Sequence, residues 1–527
     1  MSNVMTLGPI LGYEAPGRYT VCLVIEKGVD AASLSLSVSK GKVAPVVTRW
    51  LPSGRLFCRF AVTLSAAERK AGGELTYGFR RGNKAVESPT TGETAWTFAV
   101  PKEGSEPRLA FASCNGFSSN ADRLQQQRMY GEDSSAWGQW DELLEDHGRD
   151  PVHLLVLGGD QVYSDAILSG AGGTQEFGDW LDLSNSKRAK KGFTKSMRGQ
   201  LERFFETIYL KQWAYEPVAK VMARVPSAMM WDDHDIIDGW GSYEKLGEME
   251  VMQGLFEVAR AMFDVFQLRV RSENTALIKP GAKHATWACR IGSHLVLALD
   301  NRSRRTVDRI MDKEQWDDLD AWLEAKVHRG VEDGIENLLV VSPVPVVYRQ
   351  FGRAEVAFSL TEWLRKEDDP DSLEDDVRDH WQHSKHQKER IRLVMTLLDA
   401  IRKSRGMGRS GIRRAAILSG DVHVGGTGRI VRREDDNTIF QIISSGIVHP
   451  APTATQWLGI SSVSTTGDEE IEGGSVRLCL DRPLGSSSMF LRARNYATLK
   501  VRGDTPKLYV EWACENGERP SIAIPAR

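Results

Sequence analysis

Short runs of alternating apolar and polar residues dominate the first hundred positions of the chain. These runs occupy residues 19–25, 34–38, 56–62, 75–79 and 95–100, with glycine and proline between them. A period of two predicts β-strands, and short strands separated by turn residues are typical of an antiparallel sandwich. We therefore predict an all-β accessory domain of the immunoglobulin or fibronectin type over residues 1–100. The turn-rich stretch 101–107 is the predicted linker.

From residue 108 the pattern changes to continuous apolar runs that end at polar residues. Three such runs occupy 109–113, 154–157 and 415–418. The residues that follow them include Cys114, Asp160 and Asp421. Strands that are apolar throughout are covered on both faces, and the functional residues of layered α/β folds gather where such strands end. We predict an α/β domain over residues 108–527, with a central sheet flanked by helices.

Stretches with helical spacing separate these apolar runs. They occupy 136–147, 201–214, 315–328 and 386–405. A polar, acidic stretch at 366–378 precedes the last of them. The basic sequence at 187–191 could attract an anionic substrate, although a run of this kind is more often a solvated surface loop.

The composition excludes several classes of protein. Hydrophobic residues make up 41% of the 527 positions and charged residues 26%, as in a chain that buries a core rather than a disordered one. A net charge of -3 gives no general attraction to nucleic acid or anionic lipid. No apolar run is long enough to span a membrane and the start has no secretory pattern, so a cytoplasmic location without membrane contact is expected. The six cysteines form no CxxC pairs, which argues against disulfides and zinc fingers.

The sequence GGDQVYSD, at 158–165, places Asp160 at the end of an apolar strand. A carboxylate in this position can bridge two metal ions, because each of its oxygens can bind one. Tyr163 can reach the same centre if the chain turns at once into a helix. The alternative is an ordinary strand-to-helix turn in which Asp160 caps the helix.

The sequence WDDHDI, at 231–236, surrounds His234 with three carboxylates directly after an apolar run. Burying these carboxylates without a cation is unfavourable, which indicates a metal or another positive group nearby. A carboxylate beside an imidazole fixes the ring and raises its basicity, as a general acid requires. A surface acidic turn is the alternative.

In GDVH, at 420–423, the period of two directs Asp421 and His423 to the same side of a strand. A carboxylate and a neutral imidazole suit iron, zinc or manganese. His449 follows a later apolar run, but a single histidine before a proline is more often structural.

Four sequence motifs occur in a fixed order along the chain: SCNG, GGDQVYSD, WDDHDI and SGDVHVG. They resemble the motifs from which calcineurin-like metallophosphoesterases supply metal ligands at successive strand ends. This variant set looks like the PhoD-like, or alkaline phosphatase D, family, and LDNRSRR at 299–305 is similar to another of its strands. The resemblance covers about residues 108 to 510. It implies a layered metallophosphoesterase β-sandwich flanked by helices.

The resemblance also implies a set of metal ligands. Cys114 and Tyr163 would bind a ferric ion, Asp160 would bridge to a second site, and His423 would complete the iron shell. Asp421 and one carboxylate of the Asp232–Asp233 pair would bind the neighbouring divalent ion, which the family can fill with calcium. Asp233 is preferred, because it precedes the histidine where the superfamily has asparagine. Because position 233 carries an acid instead of an amide, the second ion is expected to be calcium or another divalent metal.

The predicted activity is hydrolysis of phosphate monoesters or diesters by a dinuclear or multinuclear metal site. His234, oriented by Asp235, would protonate the leaving oxygen. Arg302 and Asn115 are the predicted substrate-binding residues, and Asp379, in a segment that resembles a DxW segment of the family, is a weaker candidate. Two alternatives remain at this point: a non-catalytic scaffold or binding protein, and a metal-dependent hydrolase that acts on something other than phosphorus.

Overall fold

The computed structural model describes residues 4–119, 123–124, 135–243, 245–269, 276–329, 331–350, 379–405, 411–503 and 505–526. The strands are β1 (Met5–Ala15), β2 (Arg18–Ile25), β3 (Leu34–Val38), β4 (Lys42–Val43), β5 (Val47–Trp50), β6 (Leu56–Thr63), β7 (Gly73–Arg81), β8 (Lys84–Ala85), β9 (Trp96–Val100), β10 (Leu109–Ala112), β11 (Leu154–Gly158), β12 (Ser227–Met230), β13 (Trp287–Ile291), β14 (His294–Ala298), β15 (Asn337–Val341), β16 (Arg414–Ser419), β17 (Gly425–Arg432), β18 (Thr438–Ile443), β19 (Glu469–Ile471), β20 (Val476–Asp481), β21 (Phe490–Leu491), β22 (Asn495–Val501), β23 (Lys507–Cys514) and β24 (Ser521–Pro525). The α-helices are α1 (Ala66–Ala71), α2 (Gly138–Arg149), α3 (Gln175–Leu181), α4 (Asn185–Arg188), α5 (Lys195–Gln212), α6 (Glu216–Met222), α7 (Glu250–Phe266), α8 (Lys313–Leu323), α9 (Gln387–Arg405) and α10 (Ala454–Val463).

Two large sheets form the centre of the molecule. The first has the order β24-β23-β22-β10-β11-β12-β1-β2-β6-β4, with β5 also paired to β6. The second has the order β13-β14-β15-β16-β18-β17-β20-β19, with β21 paired to β17. Strands β10, β11 and β12 are parallel, and so are β14, β15, β16 and β18. Parallel strands bring their carboxyl ends to one edge of a sheet, which is where the predicted motifs lie.

The central strands β14, β15 and β16 of the second sheet are buried on both faces, as their continuous apolar sequences predict. Along β15 and β16, Leu339 and Ala416 belong to the core shared with the first sheet, whereas Leu338 and Ile417 pack in the core that includes α8 and α9. Alternate residues therefore face opposite layers. The result is a mixed α/β arrangement of two central sheets with helices outside them, in agreement with the predicted layered sandwich.

The separate N-terminal sandwich is not confirmed. Strand β1 pairs in parallel with β12 through Gly12 and Ser227, so the N-terminal strands continue the first central sheet. A smaller sheet of β3, β7, β8 and β9 packs on this extension through ring contacts such as Phe60 with Phe79. Glycine is required at position 12, because a Cβ there would lie 2.4 Å from the Thr20 hydroxyl oxygen. The domain limits at 100 and 108 stay a prediction.

Several helices agree closely with the spacing of the sequence. The stretches predicted at 136–147 and 386–405 correspond to α2 and α9. The stretch at 315–328 is α8 followed by a π-helical turn, Glu324–His328. The acidic stretch at 366–378 lies outside the described residues. Among the helices that the structure describes, none has both the length and the apolar content needed to cross a membrane.

Candidate metal centre

The four predicted motifs meet where strands from both sheets end. Cys114 follows β10 and its amide donates to the Gly159 carbonyl at the end of β11, over 3.2 Å. The Asn115 amide donates to the Asp160 carbonyl over 2.8 Å. Across the gap between the sheets, a Cβ at Gly420, after β16, would lie within 2.5 Å of the Ser113 side chain. The loops therefore approach more closely than larger residues would allow.

Four predicted ligands have left-handed backbone conformations. The φ angles are 54° for Cys114, 55° for Asp160, 68° for Asp421 and 52° for His423. Residues other than glycine rarely adopt this region, at a cost of about 1–3 kcal/mol each, and such residues concentrate at functional sites. Among the described residues, four of the seven non-glycine positions with positive φ are therefore predicted ligands.

The carboxylates at these strand ends form two overlapping groups. One ligand atom each from Asp160, Asp233 and His234 lie within 4.8 Å of one another. The same is true of Asp232, Asp233 and Asp421. The two groups adjoin at Asp233, so the arrangement suits two neighbouring cations.

The electrostatics of this cluster fit cation binding. Burial, with the surrounding carboxylates, raises the pKa of Asp160 and Asp421 well above the ordinary value. Burial likewise raises the pKa of Asp232 to about 7. Three buried atoms of the cluster have no hydrogen-bond partner in the part of the chain that the structure describes: Asp160 Oδ1, Asp232 Oδ2 and His423 Nδ1. Metal ions would neutralise these charges and occupy the unpaired atoms, so the donor set fits a metal centre.

Cys114 and Tyr163 lie beside this cluster. The Cys114 sulfur is 3.4 Å from Asp160 Oδ2, and the Tyr163 ring stacks on His234 with centroids 4.4 Å apart. Burial and the neighbouring acidic groups raise the pKa of both the thiol and the phenol well above their ordinary values. A thiol and a phenol in these surroundings become anionic only beside a cation, as metal coordination supplies.

His423 is half-buried in the same region, with its Nδ1 atom covered. Burial, with a smaller effect of His234, lowers its pKa to about 3, so the imidazole is neutral and able to act as a ligand. Its ring stacks on His449, with centroids 3.7 Å apart and planes 15° apart. The sequence indicates a structural role for His449, and the structure places its ring against a predicted ligand.

His234 is held by Asp165. His234 Nδ1 lies 2.8 Å from Asp165 Oδ2, and Nε2 is 3.8 Å from Asp238 Oδ1. Burial disfavours the imidazolium, but the carboxylates of Asp165, Asp233 and Asp238 outweigh it and raise the pKa of His234 well above its ordinary value. These carboxylates therefore favour the imidazolium form of His234.

Asp235, the predicted partner of His234, instead accepts hydrogen bonds from backbone amides. Its Oδ1 accepts from the amides of Gln161 and Val162 at 3.0 and 3.1 Å, and its Oδ2 accepts from the Asp232 amide at 3.0 Å. Asp235 therefore joins the loop after β11 to the loop after β12. The expectation that Asp235 orients His234 is therefore corrected. Asp165 contacts the imidazole instead, because the turn that follows Asp160 brings it there.

Arg302 is also placed differently from the predicted phosphate contact. Its guanidinium is fully buried and binds both oxygens of Asp379 at 2.5 and 2.7 Å. It also forms a close ion pair with Asp232 and lies 3.2 Å from Asp233 Oδ1. Arg302 thus neutralises the outer carboxylates of the cluster, and its donors are already engaged. Asp379 belongs to the site as the partner of Arg302.

Asn115 is likewise engaged within the protein. Its side-chain oxygen accepts from the Trp140 indole at 2.8 Å, and its amide nitrogen lies 3.5 Å from the Gln161 carbonyl. The side chain is completely buried. It therefore anchors α2 to the Cys114 loop, rather than presenting an amide to a substrate.

Comparisons with known proteins identify a family and a fold. Residues 80–368 and 360–462 match the family described as PhoD related phosphatase. The uncharacterized protein YGR266W of Saccharomyces cerevisiae is 26% identical over 439 residues, which cover 69% of this chain and 59% of the yeast protein. The chain thus spans less than two thirds of that relative's length.

Solved structures are similar at the level of the fold. The structure of PhoD has a TM-score of 0.56 at 14% sequence identity and covers 97% of this chain and 87% of that chain. A dimetal phosphatase from Danio rerio has a TM-score of 0.39 at 11% identity, covering 80% of this chain and 100% of that chain. The first of these similarities shows the fold alone.

Proposed function

The chain belongs to the PhoD related phosphatase family, and we propose that it is a metal-dependent phosphoesterase that hydrolyses phosphate monoesters or diesters. The observation that carries this proposal is the cluster of carboxylates at the strand ends, Asp160, Asp232, Asp233 and Asp421, with His234 beside it. Their buried oxygens include atoms without hydrogen-bond partners among the described residues. Strained residues and unpaired carboxylate oxygens in one place are costly, and metal binding accounts for their retention where a scaffold role does not.

In this proposal the ligands divide between two neighbouring positions. Cys114, Tyr163 and His423 would hold one ion, Asp233 and Asp421 the other, and Asp160 would lie between them. A thiolate and a phenolate favour Fe(III), whereas carboxylate oxygens suit calcium or another divalent cation. When bound, such ions neutralise phosphoryl oxygens and acidify the attacking water.

The chain's own residues would position the ligands and move the proton. His234 Nδ1 is engaged with Asp165, so Nε2 is the atom that would pass a proton to the leaving oxygen. Arg302 would act as a positioning residue, since it holds Asp232, Asp233 and Asp379 in fixed orientations. Asp235 would fix the two loops that carry Asp160 and Asp233.

The proposal is tested with p-nitrophenyl phosphate and its bis ester, using the purified full chain supplied with iron and calcium. We expect hydrolysis of at least one ester, inhibited by vanadate, and a loss of at least about a hundredfold in kcat in Asp160→Asn. Asp481→Asn is the matched control, because this carboxylate pairs with Arg429 away from the metal centre. Absence of hydrolysis of both esters in metal-loaded protein would favour a scaffold, and hydrolysis insensitive to vanadate would favour chemistry at another atom.

A further inference from the structure

A serine hydroxyl connects two of the proposed ligands. Ser445 lies two residues beyond β18 and is completely buried. Its Oγ is 3.0 Å from the Cys114 sulfur and 2.9 Å from the backbone nitrogen of His423. One side chain therefore touches the loops that follow β10 and β16.

The direction of these hydrogen bonds follows from the number of hydrogens available. The His423 amide can only donate, so Ser445 Oγ accepts from it. The single hydroxyl hydrogen of Ser445 is then free to point at the Cys114 sulfur. A second hydroxyl, that of Ser113, lies 3.4 Å from the same sulfur but donates its hydrogen to the Ser444 carbonyl at 3.2 Å. Ser445 is thus the serine that can donate to the sulfur.

The loop that carries Ser445 is fixed from several sides. The Asn495 side chain donates to the Ser445 carbonyl at 3.1 Å and accepts from the Ser444 hydroxyl at 2.8 Å. The Ile447 amide donates to the Ser113 carbonyl at 3.1 Å. A hydroxyl held in this way is preorganised, because its orientation is set before any ligand binds.

We propose that Ser445 is a positioning residue for the metal centre, whose hydroxyl donates a hydrogen bond to the Cys114 sulfur and holds the His423 loop against it. This inference rests on the proposed function, in that Cys114 is taken as a ligand. A hydrogen bond to a ligating thiolate withdraws electron density from the sulfur and fixes the direction of its lone pairs. Ser445 therefore sets both how strongly and in which direction the thiolate binds.

The test uses metal-stripped full chain titrated with Co(II), whose complex with a thiolate has a sulfur-to-metal charge-transfer band that requires no turnover. In Ser445→Ala we expect this band to move to longer wavelength and the Co(II) dissociation constant to rise about 10- to 100-fold. Ser445→Thr keeps the hydroxyl and is expected to retain the wild-type band. Ser113→Ala is the matched control, and its band is expected at the wild-type wavelength.

Cys114→Ser separates failure of this inference from failure of the proposed site. Loss of the band in Cys114→Ser, together with an unchanged band and affinity in Ser445→Ala, would overturn the role of Ser445 and leave the ligand assignment standing. A band that persists in Cys114→Ser would remove Cys114 from the metal centre and with it the inference. A Ser445→Thr variant shifted as far as Ser445→Ala would show that packing, and not the hydroxyl, is responsible.

Discussion

Replacing Arg302 with methionine tests whether this side chain stabilises the carboxylate cluster or binds substrate. The guanidinium is fully buried and contacts Asp379 through two bonds of 2.5 and 2.7 Å, with Asp232 and Asp233 also in ion-pair contact. Removing one partner from a buried ion pair costs about 3–5 kcal/mol, because the remaining charges have no neutralising group. We expect Arg302→Met to lower the free energy of unfolding by this amount.

The assay is urea unfolding followed by circular dichroism, with chelator present so that bound cations do not compensate for the lost arginine. Burial opposes ionisation of Asp379, but Arg302 and Arg305 outweigh it and hold the pKa of this carboxyl well below its ordinary value. The ionised Asp379 carboxylate therefore contributes to the free energy of unfolding at pH values above its unfolded-state pKa. Without Arg302 the carboxylates can take up protons, so the destabilisation is expected to be smaller at about pH 5 than at about pH 8.

Arg429→Met is the matched control. Arg429 also binds an aspartate through two bonds, to Asp481 at 2.6 and 2.7 Å, but its side chain is 44% exposed. An exposed pair of this kind contributes about 0–1 kcal/mol. If Arg302→Met unfolds like the wild type and instead raises KM for phosphate esters, Arg302 binds substrate and the structural role argued for it is wrong.

Three further predictions concern single side chains. His234→Asn is expected to lower kcat by about 10²–10⁴-fold without changing metal content, and loss of metal would show that His234 is a ligand instead of the proton donor. Tyr163→Phe should remove the visible absorption band of the iron-loaded protein, and a band that survives would exclude the phenol from the iron site. Burial opposes ionisation of Asp146, but hydrogen bonds from Arg519 and Tyr496 outweigh it and lower its pKa to about 2. The contribution of the Asp146 carboxylate to the free energy of unfolding is complete above the unfolded-state pKa of about 4 and is lost as the pH falls towards about 2. Asp146→Asn should therefore lower the free energy of unfolding by about 1–2 kcal/mol at pH 7 and by little at about pH 2.5. An equal decrease at both pH values would contradict this.

The strand-end motifs could be predicted because each depends on a short stretch of sequence. An apolar run followed by a turn and a polar residue specifies where Cys114, Asp160 and Asp421 lie along the chain. Parallel pairing of β10 with β11 then places Cys114 and Asp160 at one edge of the first sheet, and the packing of the two sheets brings Asp421 to them. The order of the four motifs also predicts the protein family, and the family match over residues 80–368 and 360–462 confirms that prediction.

The remaining features depend on partners far apart in the sequence. Arg302 and Asp379 are 77 positions apart, so nothing near Arg302 indicates that its donors are already engaged. His234 has a carboxylate at position 235, yet the turn after Asp160 brings Asp165 to its ring. Strand β1 carries Gly8, Pro9 and Gly12, which obscure a strand pattern, and its pairing with β12 joins the N-terminal strands to the central sheet.

The proposed two-ion centre is tested most directly by elemental analysis of the purified full chain, compared with Asp160→Asn and the control Asp481→Asn. The proposal predicts two metal ions per chain, iron among them, in the wild type and the control, and a clear loss in Asp160→Asn. Wild-type protein that hydrolyses phosphate esters without bound metal, or that keeps its full metal content in Asp160→Asn, would contradict the two-ion centre.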